Sequence, residues 1–431
     1  MMATGFYEYA LERHMTAADL SIVKYTADLL PEPPAGRDVV LHTRVVTDTG
    51  GGPDKTILVS ASFLDHTNYW LAAAYMHPPG DPGFETVRQR AAGYRCPLIG
   101  VPDKGALDRG PLRELLGICK QMNVKIWHGH DYKSNMLGLM LRPFWRQMKL
   151  VTTVHGWVKH TTRTPLYYAV DRWCLPYYHH VICVSQDLLE QMEKIKVDPA
   201  RCSLIHNAID HRMFSRKGPA CDSPMRAERG TPKGRLVIGG MGRLSPEKGF
   251  NDLIYAAASL IQDGRNIELW IAGDGDHRPE LEKLIDHLGM TDRVKLLGFV
   301  GDTMAFYESL DLFVLSSLRE GLPNVLLESM SMGAAVVSTR VAGVPKLIED
   351  NTHGLLVPIG QRGQLTDAIR KAVDDEPLRK RLVDAARSRI EREFSFEHRM
   401  RSVQAIYDNV LADDDKPVEQ IEAGGSPQLG G

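Results

Sequence analysis

The sequence predicts an α/β protein made of two doubly wound domains, and three observations carry that prediction. Short apolar runs suited to buried strands alternate with helical patterns, the signature of βα units and a parallel sheet. The alternation occurs twice, with a polar stretch rich in Pro, Gly and charge between the two series. The chain has 431 residues, more than one hydrophobic core usually supports.

Residues 1–37 read as an N-terminal extension, helical to about Leu30 and broken by Pro31-Glu-Pro-Pro34. The first domain, 38–208, opens with the strand Asp38-Val-Val-Leu-His-Thr43. Further strand runs follow at Trp70–Met76, Pro97–Val101, Val124–Trp127, Leu150–Val154, Val181–Ser185 and Ser203–Ile205. Helical patterns at Arg113–Met122, Tyr132–Trp145 and Gln186–Ile195 fill gaps between them. Residues 209–234 read as a linker. The second domain, 235–394, has strand runs at Arg235–Gly239, Ile267–Ala272, Val294–Leu297, Leu312–Ser316, Ala335–Ser338 and Leu355–Val357. In its first helix Phe250, Leu253, Ile254, Ala257, Leu260 and Ile261 make one apolar face. A closing helix is expected over 395–412, and the polar, Gly-rich tail 413–431 has the composition of a disordered segment.

Composition narrows the function classes. The chain is 43% hydrophobic and 25% charged, as ordinary globular proteins are. A formal net charge of −2 gives no global electrostatic case for nucleic acid. The six cysteines have no CxxC pair and no metal-ligand spacing, which fits reduced thiols of a cytoplasmic protein. The N-terminal residues are partly acidic and lack an apolar core, so no secretory signal is expected. No run approaches 18 apolar residues, so no membrane span is expected.

The most informative stretch is Glu320 to Glu349, EGLPNVLLESMSMGAAVVSTRVAGVPKLIE. It follows a strand, and Pro323 suits the first turn of a helix that continues through Asn324 and Val325. Free backbone N–H groups at such a helix start favour an anion. The two carboxylates, Glu320 in the turn and Glu328 one turn into the helix, would repel a phosphate. They suit hydroxyl donors, so the ligand that satisfies the whole string carries both phosphate and hydroxyl groups.

Upstream, Gly242-Arg-Leu-Ser-Pro-Glu-Lys-Gly249 follows the second domain's first strand. It is neither GxGxxG nor a P-loop. It offers Arg243 and Lys248, two cations for the charges of a diphosphate. Each contact is worth about 4 kcal/mol at 4 Å and an effective dielectric near 20, before desolvation. In the first domain Thr47-Asp-Thr-Gly-Gly-Gly-Pro-Asp54 places Gly51 and Gly52 where a backbone can approach a ligand closely, or simply turn. His130-Asp131 and His155-Gly156 each follow a strand, along one sheet edge. His128 and His130 lack a matching third metal ligand by spacing. Asp274-Gly-Asp276 reads as turn chemistry and Asp413-Asp-Asp415 as a solvated charge run. No metal or cofactor is expected.

Between Leu141 and Arg172 the chain carries Arg142, Arg146, Lys149, Lys159, Arg163 and Arg172 against Asp171 alone, with Phe144, Trp145 and Trp157 among them. Such a mixture suits an anionic membrane surface. It is also compatible with a solvated rim, or with an edge that binds an anionic soluble acceptor.

Together these residues resemble the GT-B glycosyltransferases, specifically the retaining family 4 (group 1) type. The resemblance rests on Gly242-Arg243 with Lys248-Gly249, on the Glu-x7-Glu pair Glu320 and Glu328, on Gly343-Val-Pro345 and on Gly354-Leu-Leu-Val357. It is looser in the first domain, at Gly50–Gly52, His130 and His206-Asn-Ala-Ile-Asp210. It implies two Rossmann-like domains facing a central cleft, the first binding acceptor and the second a nucleotide sugar, with the last helix crossing back to the first domain. It further implies that Arg243 and Lys248 hold the donor diphosphate, beside Gly51, Gly52 and the Pro323-Asn324-Val325 turn. Glu328 would take the ribose and Glu320 the transferred sugar, with His130 beside the reacting sugar and His155 and Asp131 on the acceptor side. The reaction would retain anomeric configuration without a metal. A saccharide or lipid-linked acceptor is implied, in cell-surface polysaccharide or glycolipid synthesis, in the cytoplasm or at the inner face of the membrane. The long N-terminal extension departs from the family pattern.

Three other readings compete. A glycosidase needs its carboxyl groups 5–5.5 or 6.5–9.5 Å apart across one bond and has no use for phosphate-binding cations. A sugar-nucleotide epimerase or phosphorylase shares the architecture, and a non-catalytic nucleotide-sugar-binding protein shares the ligand.

Overall fold

The computed structural model describes residues 30–105, 108–156, 164–320, 322–341 and 343–412. The extension up to residue 29, the acidic triplet in the tail, and Trp157, Lys159 and Arg163 of the basic stretch lie outside the described residues. The strands are β1 (Asp38–Val45), β2 (Tyr69–His77), β3 (Leu98–Pro102), β4 (Val124–Gly129), β5 (Lys149–Val154), β6 (His180–Cys183), β7 (Cys202–Leu204), β8 (Leu236–Met241), β9 (Ile267–Ala272), β10 (Val294–Gly298), β11 (Leu312–Leu315), β12 (Ala335–Thr339) and β13 (Leu355–Val357). Each falls on one of the apolar runs identified above.

The chain divides into two compact units, one of residues up to His206 and from Arg399 onward, the other Asn207–His398. The first holds a seven-stranded parallel sheet of order β3-β2-β1-β4-β5-β6-β7. The second holds a six-stranded parallel sheet of order β10-β9-β8-β11-β12-β13. Helices cover both faces of such sheets, so the strands read as unbroken apolar runs. In both sheets the chain order reverses at the centre, between β1 and β4 and between β8 and β11. Loops leaving those strands diverge at their carboxyl ends and open a crevice there.

Parallel register decides which side chains share a face. In the first unit His42 pairs with His128, and His128 with Val151. His42, His128, His130, Thr153 and His155 therefore stand on one face. Leu41, Trp127, Leu150 and Val154 point to the other, into the main apolar core.

Residues 209–234, expected as a linker, are part of the second unit's packing. The guanidinium of Arg216 donates to the carbonyls of Met332 (2.7 Å) and Leu310 (2.6 Å). Arg226 is 4% exposed, donates to Ser309 O at 2.8 Å and pairs with Asp311. Their charge, which reads as solvent-exposed, is spent on backbone carbonyls of a neighbouring loop.

Candidate functional site

In the second unit, the loops after β8 and β11 are laced together at the reversal point. Leu318 N donates to Glu247 O at 2.8 Å, and Ser316 Oγ to Lys248 O at 2.9 Å. Gly249 has φ +63°, and a Cβ there would lie 2.2 Å from Ser316 O, so glycine is required for the approach. This lacing delivers Lys248 to Glu320: Nζ donates to Oε1 at 2.5 Å. Ser317 Oγ donates to the same oxygen at 2.8 Å. Arg243 stands exposed on the same loop.

Pro323, in extended conformation, leads into the Asn324–Ser331 helix, with Val325 in its first turn. Asn207 Nδ2 donates to Asn324 Oδ1 at 3.3 Å. Glu328 is buried, 6% exposed, and its Oε2 accepts the phenol of Tyr307 at 2.9 Å. A buried carboxylate oriented by a phenol is a fixed hydrogen-bond acceptor. Asp274 serves its own turn: its Oδ1 accepts Gly275 N at 2.8 Å and its carbonyl accepts Leu244 N at 2.9 Å.

In the first unit, the glycine loop after β1 is held by a fully buried carboxylate. Asp54 Oδ2 accepts Gly51 N at 2.5 Å, and Oδ1 faces Arg44 Nε at 3.3 Å. Gly50 has φ +73°, and a Cβ there would sit 2.7 Å from Asp54. Gly52 begins the Gly52–Phe63 helix. Asp131 differs from its expected acceptor-side placement. It caps the Tyr132–Leu141 helix through Lys133 N and Ser134 N (3.0 and 2.9 Å), and its other oxygen accepts Val45 N at 2.6 Å. Its carboxylate ties β1 to the helix after β4 and so fixes the chain at His130.

His130 has both ring nitrogens engaged: Nε2 with His42 Nδ1 at 2.8 Å and Nδ1 with His155 Nε2 at 3.1 Å. His128 meets Tyr407 Oη at 2.6 Å and Thr153 Oγ1 at 2.8 Å. Burial holds His128, His130 and His155 well below the usual imidazole range, and His42 at about 3, so all four are neutral at pH 7. His42 is the third histidine that spacing alone missed. Among the described residues His42, His128 and His130 are the group that could hold a metal, with ligand atoms within 4.8 Å of one another. Their rings stack, however, at 11° (His128–His130) and 19° (His42–His130).

Residues 223–389 match the family model for glycosyl transferases group 1, and residues 64–212 that for Glycosyltransferase Family 4. The chain belongs to the group 1, family 4 glycosyltransferases. This family chain is 40% identical to the lipopolysaccharide core biosynthesis glycosyltransferase LpsE of Rhizobium meliloti over 172 residues, 40% of this chain and 49% of that protein. It is 42% identical to the alpha-D-kanosaminyltransferase of Streptomyces kanamyceticus over 156 residues, 35% and 40% of the two chains. The chain thus spans about half the length of the curated relatives it matches. Anabaena HepE in complex with UDP has the same fold, with TM-score 0.71 at 20% identity, covering 86% of this chain and 99% of HepE. The architecture is GT-B, as expected.

The histidine set makes stability pH-dependent. His42 titrates at about 3 when folded against an ordinary 6.5, so between those values the unfolded chain binds protons that the folded chain does not. This contribution is complete above pH 6.5 and is lost as pH falls toward 3. Denaturant titrations should give lower stability at pH 5 than at pH 7, and His42→Phe should flatten that dependence. An unchanged slope in the variant would contradict it.

Proposed function

We propose that this chain transfers a sugar from a nucleoside-diphosphate sugar to a saccharide or lipid-linked acceptor, retaining anomeric configuration and using no metal ion. The observation that carries the reading is Lys248 joined to Glu320 at the reversal point of the second sheet, with Glu328 fixed beside it on the next helix. In the absence of donor, Lys248 and Glu320 neutralise each other. An arriving diphosphate competes for Lys248, with Arg243 as its second cation, and releases Glu320 to accept from hydroxyl groups of the sugar. Glu328, aimed by Tyr307, takes the ribose hydroxyls. The leaving phosphate takes the acceptor proton in front-side attack, so no side chain has to act as base. That agrees with a first-unit edge of neutral imidazoles bonded to one another. A role in the synthesis of cell-surface polysaccharide or glycolipid is supported by the relative named for lipopolysaccharide core biosynthesis.

A lipid-linked acceptor is supported by one surface of the first unit. Phe144 (64%), Trp173 (62%) and Tyr177 (54%) are exposed, and Arg142, Arg146, Trp173 and Tyr177 line an open groove of about 760 Å³. Aromatic side chains beside arginines suit the headgroup region of an anionic bilayer, where each cation contributes about 1 kcal/mol. Trp145 is not part of this surface: it packs on the core and donates its indole N–H to Val124 O at 2.9 Å. No described helix is long and apolar enough to cross a membrane. The exposed aromatic and arginine surface supports a proposed location in the cytoplasm, peripheral at the inner membrane face.

Glu320→Ala should abolish transfer, mainly through kcat, and Lys248→Ala should weaken donor binding and turnover together. Both are read from initial rates with a nucleotide-sugar panel, and wild-type activity should survive chelator. Near-wild-type kinetics in either variant would overturn the assignment, and chelator loss reversed by Mg²⁺ or Mn²⁺ would overturn the metal-free mechanism. Vesicle co-sedimentation tests the acceptor surface. Binding should require anionic lipid, fall with salt and drop in an Arg142/Arg146/Trp173 triple alanine variant. Equal recovery with neutral vesicles would remove it.

A further inference from the structure

One side-chain chain in the first unit runs from the carboxyl edge of the sheet into its interior. Its order is His155, His130, His42, Tyr407, His128, Thr153, with successive contacts of 3.1, 2.8, 3.3, 2.6 and 2.8 Å. The five sheet residues share one face by register, as described above. Tyr407 comes from the helix Phe396–Ala412 and is fully buried. His155 stands at the edge and is partly exposed, whereas Thr153 is fully buried.

A neutral imidazole has one N–H and one bare nitrogen, and a hydroxyl donates once. Five contacts in a single file then permit two arrangements that also spend the Tyr407 proton; a third, in which Tyr407 accepts from both His42 and His128, leaves its buried O–H without an acceptor in the file. In one, each group donates toward Thr153: His155 Nε2–H to His130 Nδ1, His130 Nε2–H to His42 Nδ1, His42 Nε2–H to Tyr407, Tyr407 O–H to His128 Nδ1, and His128 Nε2–H to Thr153. That leaves His155 Nδ1 bare. In the other, every proton points back, Thr153 donates to His128 Nε2, and His155 carries its proton on Nδ1. No imidazole can change tautomer alone without leaving a buried nitrogen or the buried Tyr407 proton unsatisfied. The chain is a collective switch with a closed inner end. Burial keeps all four imidazoles uncharged, with Arg399 adding positive charge near His42, His128 and His155 and Arg44 near His130 and His155.

We propose that Tyr407, on the chain's last helix, is a positioning residue that fixes the tautomers of His42, His130 and His155 at the acceptor edge. Among the described residues its hydroxyl is the hydrogen-bonding link between the His42–His130–His155 branch and His128, whose ring also stacks on those of His42 and His130. The inference rests on the proposed transfer for its kinetic consequence but not for its structural one. A metal centre on the same histidines is disfavoured by two observations. In-plane lone pairs of near-parallel stacked rings do not converge on one point, and each nitrogen of His42, His128 and His130 already meets a hydrogen-bond partner.

The test uses the full chain with ¹⁵N-labelled histidine, in which long-range ¹H–¹⁵N spectra report the tautomer of each ring. In the wild-type protein His42, His128 and His130 should each show one neutral tautomer from pH 7 down to about pH 5. Tyr407→Phe should change the tautomer of His128 or the shared tautomers of His42, His130 and His155, and lower kcat by about tenfold with donor KM within about twofold, the low end for losing a partner that orients a functional histidine. Tyr69→Phe is the control. Tyr69 hydrogen-bonds Asp408 on the same helix and packs its ring on Tyr407 but makes no hydrogen bond in the chain; its variant keeps the ring, so it should keep the wild-type tautomers and rate. Indistinguishable effects of the two variants would overturn the proposal. So would unchanged spectra in Tyr407→Phe, tautomer averaging in the wild type, or stoichiometric bound metal by elemental analysis. If Tyr407→Phe does not fold, the wild-type spectra still decide. If no donor is turned over, the spectra again decide, and only the proposed function is lost.

Discussion

A parallel sheet ends all its strands at one edge, and where its winding reverses, the two central loops must part. That constraint organises each unit of this chain. In the second, the loops leaving β8 and β11 carry Lys248 and Glu320. In the first, the loops leaving β1 and β4 carry the glycine turn and His130. The apolar interior of each sheet sets the strands, and the strands set where the polar groups emerge. Chemistry is then a matter of what the diverging loops hold and how firmly.

Firmness comes from close backbone contact and from polar groups with no spare valence. Gly249 against Ser316 and Gly50 against Asp54 leave no room for a larger residue. Asp131 and Tyr307 do not face outward. They hold buried neighbours in place: Asp131 caps the helix that follows His130, and Tyr307 orients Glu328. The ion pair between Lys248 and Glu320 has a different character, because both partners are partly solvent-exposed, at 21% and 13%. It is strong enough to orient both side chains and accessible enough for a doubly charged ligand to compete.

Much of this was legible in the chain. Strand runs such as Ile267–Ala272 are apolar enough to be read directly, and the glycine loop and the Glu-x7-Glu stretch singled out the two loops that meet at Lys248 and Glu320. What escaped reading has physical reasons. His42 lies inside an apolar strand, where one polar residue looks like an exception; only register against His128 shows that it faces other histidines. Tyr407 is 279 residues from His128, and Lys248 is 72 from Glu320, so neither contact leaves a local pattern. Asp131 looked like a functional carboxylate because helix caps and active-site acids use the same residue at the same strand end. Residues 209–234 looked like a linker because arginines that bond buried carbonyls have the composition of solvent-facing ones.

In the proposed reaction a donor diphosphate and Glu320 compete for Lys248. Calorimetric titration of UDP into the wild type, Glu320→Gln and Lys248→Met tests it without requiring an acceptor. Removing the carboxylate charge should tighten diphosphate binding, because Lys248 is no longer neutralised, whereas removing the ammonium should weaken it. Equal or weaker binding in Glu320→Gln, with Lys248→Met unaffected, would contradict the account.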